Sequence, residues 1–417
     1  MVIFPFITDE VLMALKSEFE TPLFVYSEAE LMRNAKTMLD FHNPYGLTVR
    51  YAMKALPNAA ILRLFDSMGI HIDASSGFEA ERALLAGIKG EKISLSSQEL
   101  PRNLSALLDS GILFNACSLR QLEAFGKIRP NHEVGVRFNP GLGSGGSRKT
   151  NVGGPSASFG IWYENWKDVA ATAAKYGLKI VRIHTHIGSG AEAEAWQRAA
   201  EMSLDIVRQF PEVTILNLGG GFKVGRVPEE KSVDTRLISS AITQKLENFA
   251  EETGRQLHLE VEPGTYLVAS GGVLITTIDD IVATGQEGYE FIKLNAGLTE
   301  IMRPALYGAH HPIIVLTDQL ARAPFSYKKY VVVGHCCESG DLITCGETPE
   351  TIASIELLEA KVGDTLAIGA VGAYCSAMCA KNYNSFPEAA EVLLREDGTP
   401  ILIRKRQTLG QIIENEL

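Results

Sequence analysis

Between residues 48 and 263 the chain repeats one pattern: a short apolar run, a polar or glycine-containing break, then a stretch of helical composition. The apolar runs are Thr48–Ala55, His71–Ser76, Ile93–Ser97, Phe114–Ser118, Glu133–Pro140, Lys179–Gly188, Thr214–Phe222 and Gln256–Pro263. Runs this short, bounded by turn residues, read as strands. The stretches between them include NAAILRLFDSMG, FEAERALLAG and NWKDVAATAAKYG. These are rich in Ala, Leu, Glu and Arg and close on glycine, a common helix stop. Strands alternating with helices imply a parallel sheet, and eight units fit a closed, TIM-like (β/α)8 barrel better than an open sheet.

Beyond about residue 270 the pattern changes. GGVLITTIDDIVA, YKKYVVVGHC, GDTLAIGAVGAY and AAEVLL read as strands with few long helical stretches between them. The expected division is therefore an α/β barrel over residues 30–270 and a mainly β domain over 271–417. Residues 1–29 contain a further strand-like run, TPLFVY, and are assigned to the β domain.

Composition narrows the function classes. The 417 residues carry a formal charge of -11, which argues against a nucleic-acid binder and against attraction to an anionic membrane surface. The N-terminal run lacks early basic residues and is broken by Pro5, so no signal peptide is expected, and no apolar stretch is long enough to predict a membrane span. Six cysteines in so long a chain read as reduced thiols of a cytoplasmic protein. Five of them lie at Cys336, Cys337, Cys345, Cys375 and Cys379, without the spacing of a zinc site, so no metal is expected. Gly141, Gly143 and Gly146 match G-x-G-x-x-G, but loop residues follow where a dinucleotide fold needs a helix.

In an α/β barrel the active site sits at the C-terminal ends of the strands. Here those ends carry Lys54, Asp73, Ser76, Ser96, Asn115, Arg137, Asn139, His186, Gly219 to Gly221 and Glu262. Lys54 is either a surface lysine or an amine able to condense with a carbonyl. His186, with His184 on the same face, is a structural histidine or one that stacks on a cofactor, acts in proton transfer as a catalytic group, or binds a metal. The triple glycine is a tight turn or a phosphate cradle. Glu262 is a turn carboxylate or the partner of a protonated ring nitrogen. A lysine, a phosphate cradle and such a carboxylate together point to pyridoxal 5'-phosphate (PLP).

YAMKAL, HIGSG, GGGF, EPG, MRPALYG, CCESGD and GAYCSAM with NYNSFPEAAEV, in this order, resemble the diaminopimelate and ornithine decarboxylase group of PLP enzymes. FGIWY, MRPALYG, CESGD and NYNS point to its diaminopimelate branch. The resemblance runs from Thr21 to Gln407. It implies a head-to-tail homodimer with shared active sites, acting on a small amino-acid substrate; the acidic charge already argues against a nucleic-acid or membrane partner. Lys54 then holds the cofactor aldehyde, His186 stacks on its ring and Asp73 lies near the link. Ser189, Gly221 and the backbone from Glu262 through Gly264 to Thr265 bind the phosphate, and Glu262 pairs with the pyridine nitrogen. Arg303 and Tyr307 hold the substrate's far carboxylate, while Tyr374 touches phosphate and substrate. Cys337 and Glu338 reach in from the other subunit, Cys337 to return a proton and Glu338 to bind the distal ammonium. The implied reaction converts meso-diaminopimelate to L-lysine and CO2.

One position departs from the resemblance. The family reads EPG-Arg where this chain reads Glu262-Pro263-Gly264-Thr265. Threonine offers a neutral hydrogen bond in place of a charged fork. Decarboxylation of another basic amino acid, D- or L-ornithine, lysine or a modified diamino acid, is therefore the alternative reading.

Overall fold

The structure is a computed structural model that describes residues 4, 6–143, 152–186, 188–190, 192–316, 326–346 and 348–417. It divides into two compact units. One comprises Asn34–Val224 and Lys231–Leu267, the other Met1–Arg33, Gly225–Glu230 and Val268–Leu417.

The first unit is a closed barrel of eight parallel strands. In chain order they are Leu47–Ala52, His71–Ala74, Ile93–Leu95, Leu113–Ala116, Glu133–Asn139, Lys179–Thr185, Ile215–Asn217 and His258–Val261. The eighth pairs with the first through Glu260 opposite Thr48, and Asn115 opposite Gly135 joins the fourth to the fifth. A two-residue strand, Ile161–Trp162, adds to the edge of the fifth.

Every expected run contains a strand, but each strand ends earlier than its apolar run because the last residues do other work. Ser76 and Ser118 are helix caps: their hydroxyls accept the backbone N–H groups of Glu79 and Gln121 at 3.1 Å. Ser76 therefore starts the helix Gly77–Leu85 and is not a free site group. Lys54 stands beyond the first strand, in the 3-10 turn Met53–Ala55. The helix Trp166–Tyr176 stops at Gly177, whose left-handed conformation (φ 67°) suits glycine.

The second unit is built on a mixed sheet. Its spine runs from Ile355–Leu358 through Tyr327–Val333, Glu290–Leu294, Gly272–Ala283, Leu23–Ser27 and Ala390–Leu394 to Pro400–Arg404. Thr365–Gly369 also pairs with the long strand Gly272–Ala283, and Ile313–Leu316 adds outside it. The N-terminal run TPLFVY supplies Leu23–Ser27, parallel to Ala390–Leu394 and antiparallel to Gly272–Ala283. All five of its residues are buried, with Leu23 and Val25 in one core with Val273, Ile275 and Val392. The helix Asp9–Phe19, capped by Thr8, packs Leu12 and Leu15 into the same core. Among the described residues no helix is long and apolar enough to cross a membrane.

Candidate active site

The barrel interior is polar at one end because strand alternation turns every second residue inward. Two inward carboxylates, Glu260 and Glu262, lie at and just past the end of the eighth strand. Glu260 is buried between Arg50 (Nη2 to Oε1, 2.7 Å) and Arg182 (Nε to Oε2, 3.0 Å). Asn217 bridges the carboxylates, its Nδ2 donating to Glu260 Oε2 at 3.2 Å and Glu262 Oε1 at 2.7 Å. Its Oδ1 accepts the Gly219 N–H at 2.8 Å, which fixes the start of the triple glycine. A buried ion pair adds little net stability, but losing one partner strands the other charge. This layer is best understood as the rigid floor beneath Glu262.

Above that floor, His184 Nε2 lies 3.2 Å from Glu262 Oε2, and its Nδ1 lies 3.3 Å from the Ser96 hydroxyl. Asn115 holds Ser94 and Ser96 in place at 2.9 and 3.0 Å. Burial by itself raises the Glu262 carboxyl, but the contact from His184 and the charge of Arg137 oppose it, and Glu262 stays well below the usual carboxylate range. Burial pushes both histidines down, His186 far below its ordinary value, so each is a neutral imidazole. Asp73 moves the other way: burial, then the Glu262 charge, raises it well above an ordinary aspartate, while Lys54 pulls it down. Two nearby carboxyl groups thus carry opposite protonation tendencies.

Lys54 is exposed between the buried Met53 and Ala55. The Ala52 N–H donates to the Pro263 carbonyl at 3.2 Å and ties its turn to the Glu262-Pro263-Gly264 segment. On the same barrel end, Gly219, Gly221 and Gly188 take left-handed φ values of 70°, 107° and 109°. A Cβ on Gly221 would stand 1.9 Å from the Gly188 carbonyl oxygen, and one on Gly220 2.2 Å from the Glu262 carbonyl oxygen. A Cβ on Gly219 would strike the His186 side chain at 2.7 Å. Only bare backbone can pack in this way. The Gly190 N–H donates to the Gly221 carbonyl at 3.0 Å, joining the two loops around Ser189, and Trp196 braces them by donating to the Gly190 carbonyl at 3.3 Å.

The remaining candidates lie on the β-rich unit. Arg303 and Tyr307 bound one short helix, with the guanidinium 5.7 Å from the ring centroid, and the Tyr307 hydroxyl faces Met378 Sδ at 3.8 Å. Tyr374 adopts φ 57°, a strained conformation for a bulky residue. Cys337 and Glu338 are exposed on a loop shaped by Asp341. Asp341 accepts the Cys336 and Leu298 N–H groups, each at 2.8 Å. Asn384, itself at φ 51°, accepts the Cys337 N–H at 2.9 Å. Sequence reasoning missed Asp341, Asn384, Asn217 and Glu260. The inward period-two alternation of Glu260 with Glu262, and of Arg182 with His184, was the signal for the barrel members.

That loop rests on Glu300, whose Oε2 accepts the Thr299 hydroxyl at 2.7 Å and the Gly297 N–H at 3.0 Å. Burial pushes this carboxyl up to about 7, against those hydrogen bonds. A carboxyl raised in the folded state contributes stability that is complete below its unfolded value and is lost as pH rises toward about 7. Glu300→Gln keeps the shape and removes the proton. Its Tm advantage over the parent is expected to grow between pH 4.5 and 7 and to level off above; parallel Tm curves across that range would contradict the assignment.

Among the described residues no group of three or more His, Cys, Asp or Glu side chains is placed to hold a metal. The described part of the glycine-rich loop, through Gly143, opens no helix; Gly146 lies outside the described residues. Pyridoxal phosphate fits what is present in the barrel: an exposed amine, glycines where no Cβ fits, an ionised carboxylate, and the buried His186 Nδ1 without a protein partner.

The closed barrel and this group of side chains define the class, and the chain belongs to the pyridoxal-dependent decarboxylases, whose pyridoxal binding domain matches residues 29–269. Within that class, relatives similar to it over nearly the whole chain include diaminopimelate decarboxylases. The one from Escherichia coli (strain K12) is 36% identical, covering 99% of this chain and 97% of the relative. A crystal structure of a diaminopimelate decarboxylase superposes with a TM-score of 0.91 at 34% identity, covering 100% of this chain and 99% of the other. The Helicobacter pylori enzyme complexed with L-lysine superposes with a TM-score of 0.84 at 28% identity, covering 97% and 98%.

Proposed function

We propose that this chain decarboxylates meso-diaminopimelate to L-lysine and CO2. The observation that carries the reading is the grouping of Lys54, the glycine cradle and an ionised Glu262 at one barrel end, in a chain similar over nearly its whole length to diaminopimelate decarboxylases. The L-lysine bound by the Helicobacter pylori relative is the product this reaction releases.

When bound, pyridoxal phosphate supplies an electron sink for the pair left by the breaking C–C bond. Lys54 holds the cofactor aldehyde through its amine. The N–H groups around Ser189, Gly221, Gly264 and Thr265 bind the phosphate. Glu262, as an anion, keeps a proton on the pyridine nitrogen. The neutral His186 ring offers a flat face for stacking without adding charge, and Asp73 lies close enough to Lys54 to tune its amine. Arg303 and Tyr307 bind the distal carboxylate, and Tyr374 binds both phosphate and substrate. Cys337 delivers a proton to the carbon that has lost CO2, and Glu338 pairs with the distal ammonium.

Exposure of Cys337 and Glu338 on the protomer surface supports action in a partner's site, within a head-to-tail homodimer. All six cysteines are free thiols, which supports a reducing, cytoplasmic setting. The test is product analysis with meso-diaminopimelate and with the D and L forms of ornithine and lysine. CO2 and L-lysine from diaminopimelate are expected; turnover of ornithine without turnover of diaminopimelate would overturn the reading.

The cradle gives a second test. Gly221→Ala combines a left-handed φ of 107° with a steric clash against the Gly188 carbonyl. It is expected to weaken pyridoxal phosphate binding at least tenfold, measured by titrating apoprotein with cofactor. Unchanged affinity would remove the cradle from the phosphate site.

A further inference from the structure

The loop Gly225–Glu230 follows the seventh barrel strand in sequence but belongs to the β-rich unit. It is tightly built: a Cβ on Gly225 would stand 2.4 Å from the Glu230 carbonyl oxygen, and the Glu230 N–H returns to the Val227 carbonyl at 3.0 Å. This turn aims one side chain, Arg226, into the unit. Its Nε donates to the Ala370 carbonyl at 3.3 Å, and its Nη2 is sealed from solvent with no acceptor.

Arg226 shares this neighbourhood with a second guanidinium. Burial first, then the Arg303 charge, brings Arg226 down to about 10, so it remains a cation at neutral pH. Arg303 Nε is likewise buried without an acceptor. His311 lies beside Arg226: its Nδ1 sits 2.9 Å from the Gly369 carbonyl, next to the Ala370 carbonyl that Arg226 reaches; burial and the two arginine charges hold it well below its ordinary value, and its Nε2 is a third buried atom without a partner. Cys375 offers no anion, since burial raises its thiol to about 11 in spite of both arginines. The neighbouring carboxylate, Glu230, spends its Oε2 on the Arg226 backbone N–H at 3.0 Å. Two like charges with unmet donors are costly to bury, and a bound anion removes that cost.

We propose that Arg226 and Arg303 together bind the distal carboxylate of the substrate, so that Arg226 supplies the second cation this chain lacks at Thr265. The assignment rests on the diaminopimelate reading, in which that carboxylate remains on the L-lysine product and is absent from 1,5-diaminopentane. Arg226 is then a specificity residue that selects substrates carrying a carboxylate at the far end.

The test compares the holoenzyme with its Arg226→Gln and Arg226→Lys variants by calorimetric titration with L-lysine and with 1,5-diaminopentane. Arg226→Gln is expected to weaken L-lysine at least tenfold and leave 1,5-diaminopentane within twofold. Arg226→Lys should recover part of the loss, and Arg226→Gln should not lower Tm, because it relieves one of two repelling charges. Equal loss for both ligands, or retained L-lysine affinity in Arg226→Gln, overturns the proposal. So does weakened pyridoxal phosphate affinity with L-lysine binding intact, which would make the cofactor phosphate the anion. If the parent enzyme releases no CO2 from diaminopimelate, the substrate reading falls by itself, and the comparison of the two ligands still decides the role of Arg226.

Discussion

Lys54→Ala is expected to reduce CO2 release from diaminopimelate by on the order of a thousandfold or more, the scale on which removal of a covalent or proton-transferring group acts. The side chain is exposed on a 3-10 turn whose neighbours Met53 and Ala55 carry the packing, so the fold should not depend on it. Tm should be compared between the two apoproteins, because bound cofactor stabilises the parent by mass action. Activity within tenfold of the parent, measured as CO2 evolved, would mean that another amine does this work.

Glu262→Gln is the second large effect. The carboxylate is buried, receives Asn217 Nδ2 at 2.7 Å, and is kept ionised by the His184 contact and the Arg137 charge against the pull of burial. Glutamine has the same shape and can still accept from Asn217, but it carries no charge with which to hold a proton on a ring nitrogen. Turnover is expected to fall by roughly a hundredfold or more, the range seen when a preorganised electrostatic group is removed. KM should change little, since the role proposed for this group is toward the cofactor rather than the substrate's distal end. An unchanged kcat would show that the ring nitrogen needs no anionic partner here.

Much of the barrel was legible because its strands are short apolar runs separated by helices with glycine stops. Their ends were not, because residues such as Ser76 and Ser118 continue the run in composition while capping the next helix. Lys54, His186, Glu262 and the triple glycine stood out as polar or bare positions at the ends of apolar runs. Asn217 did not, since one asparagine near a strand end carries no signal until Glu260 and Glu262 are seen on either side of it. In the second unit the long runs were readable, but EFIKL at Glu290–Leu294 is too short and mixed to announce a central strand. Asp9–Phe19 was also missed, although Thr8 ahead of two acidic residues is a helix-start signal. Arg226 was invisible for a topological reason: its loop follows a barrel strand in sequence but clusters with the other unit.

The most direct measurement is borohydride reduction of the holoenzyme followed by peptide mass spectrometry. A reduced pyridoxyl group on Lys54, and on no other lysine, is the expected result. A label on a different residue, or none at all, would contradict the assignment of this barrel end as the catalytic centre.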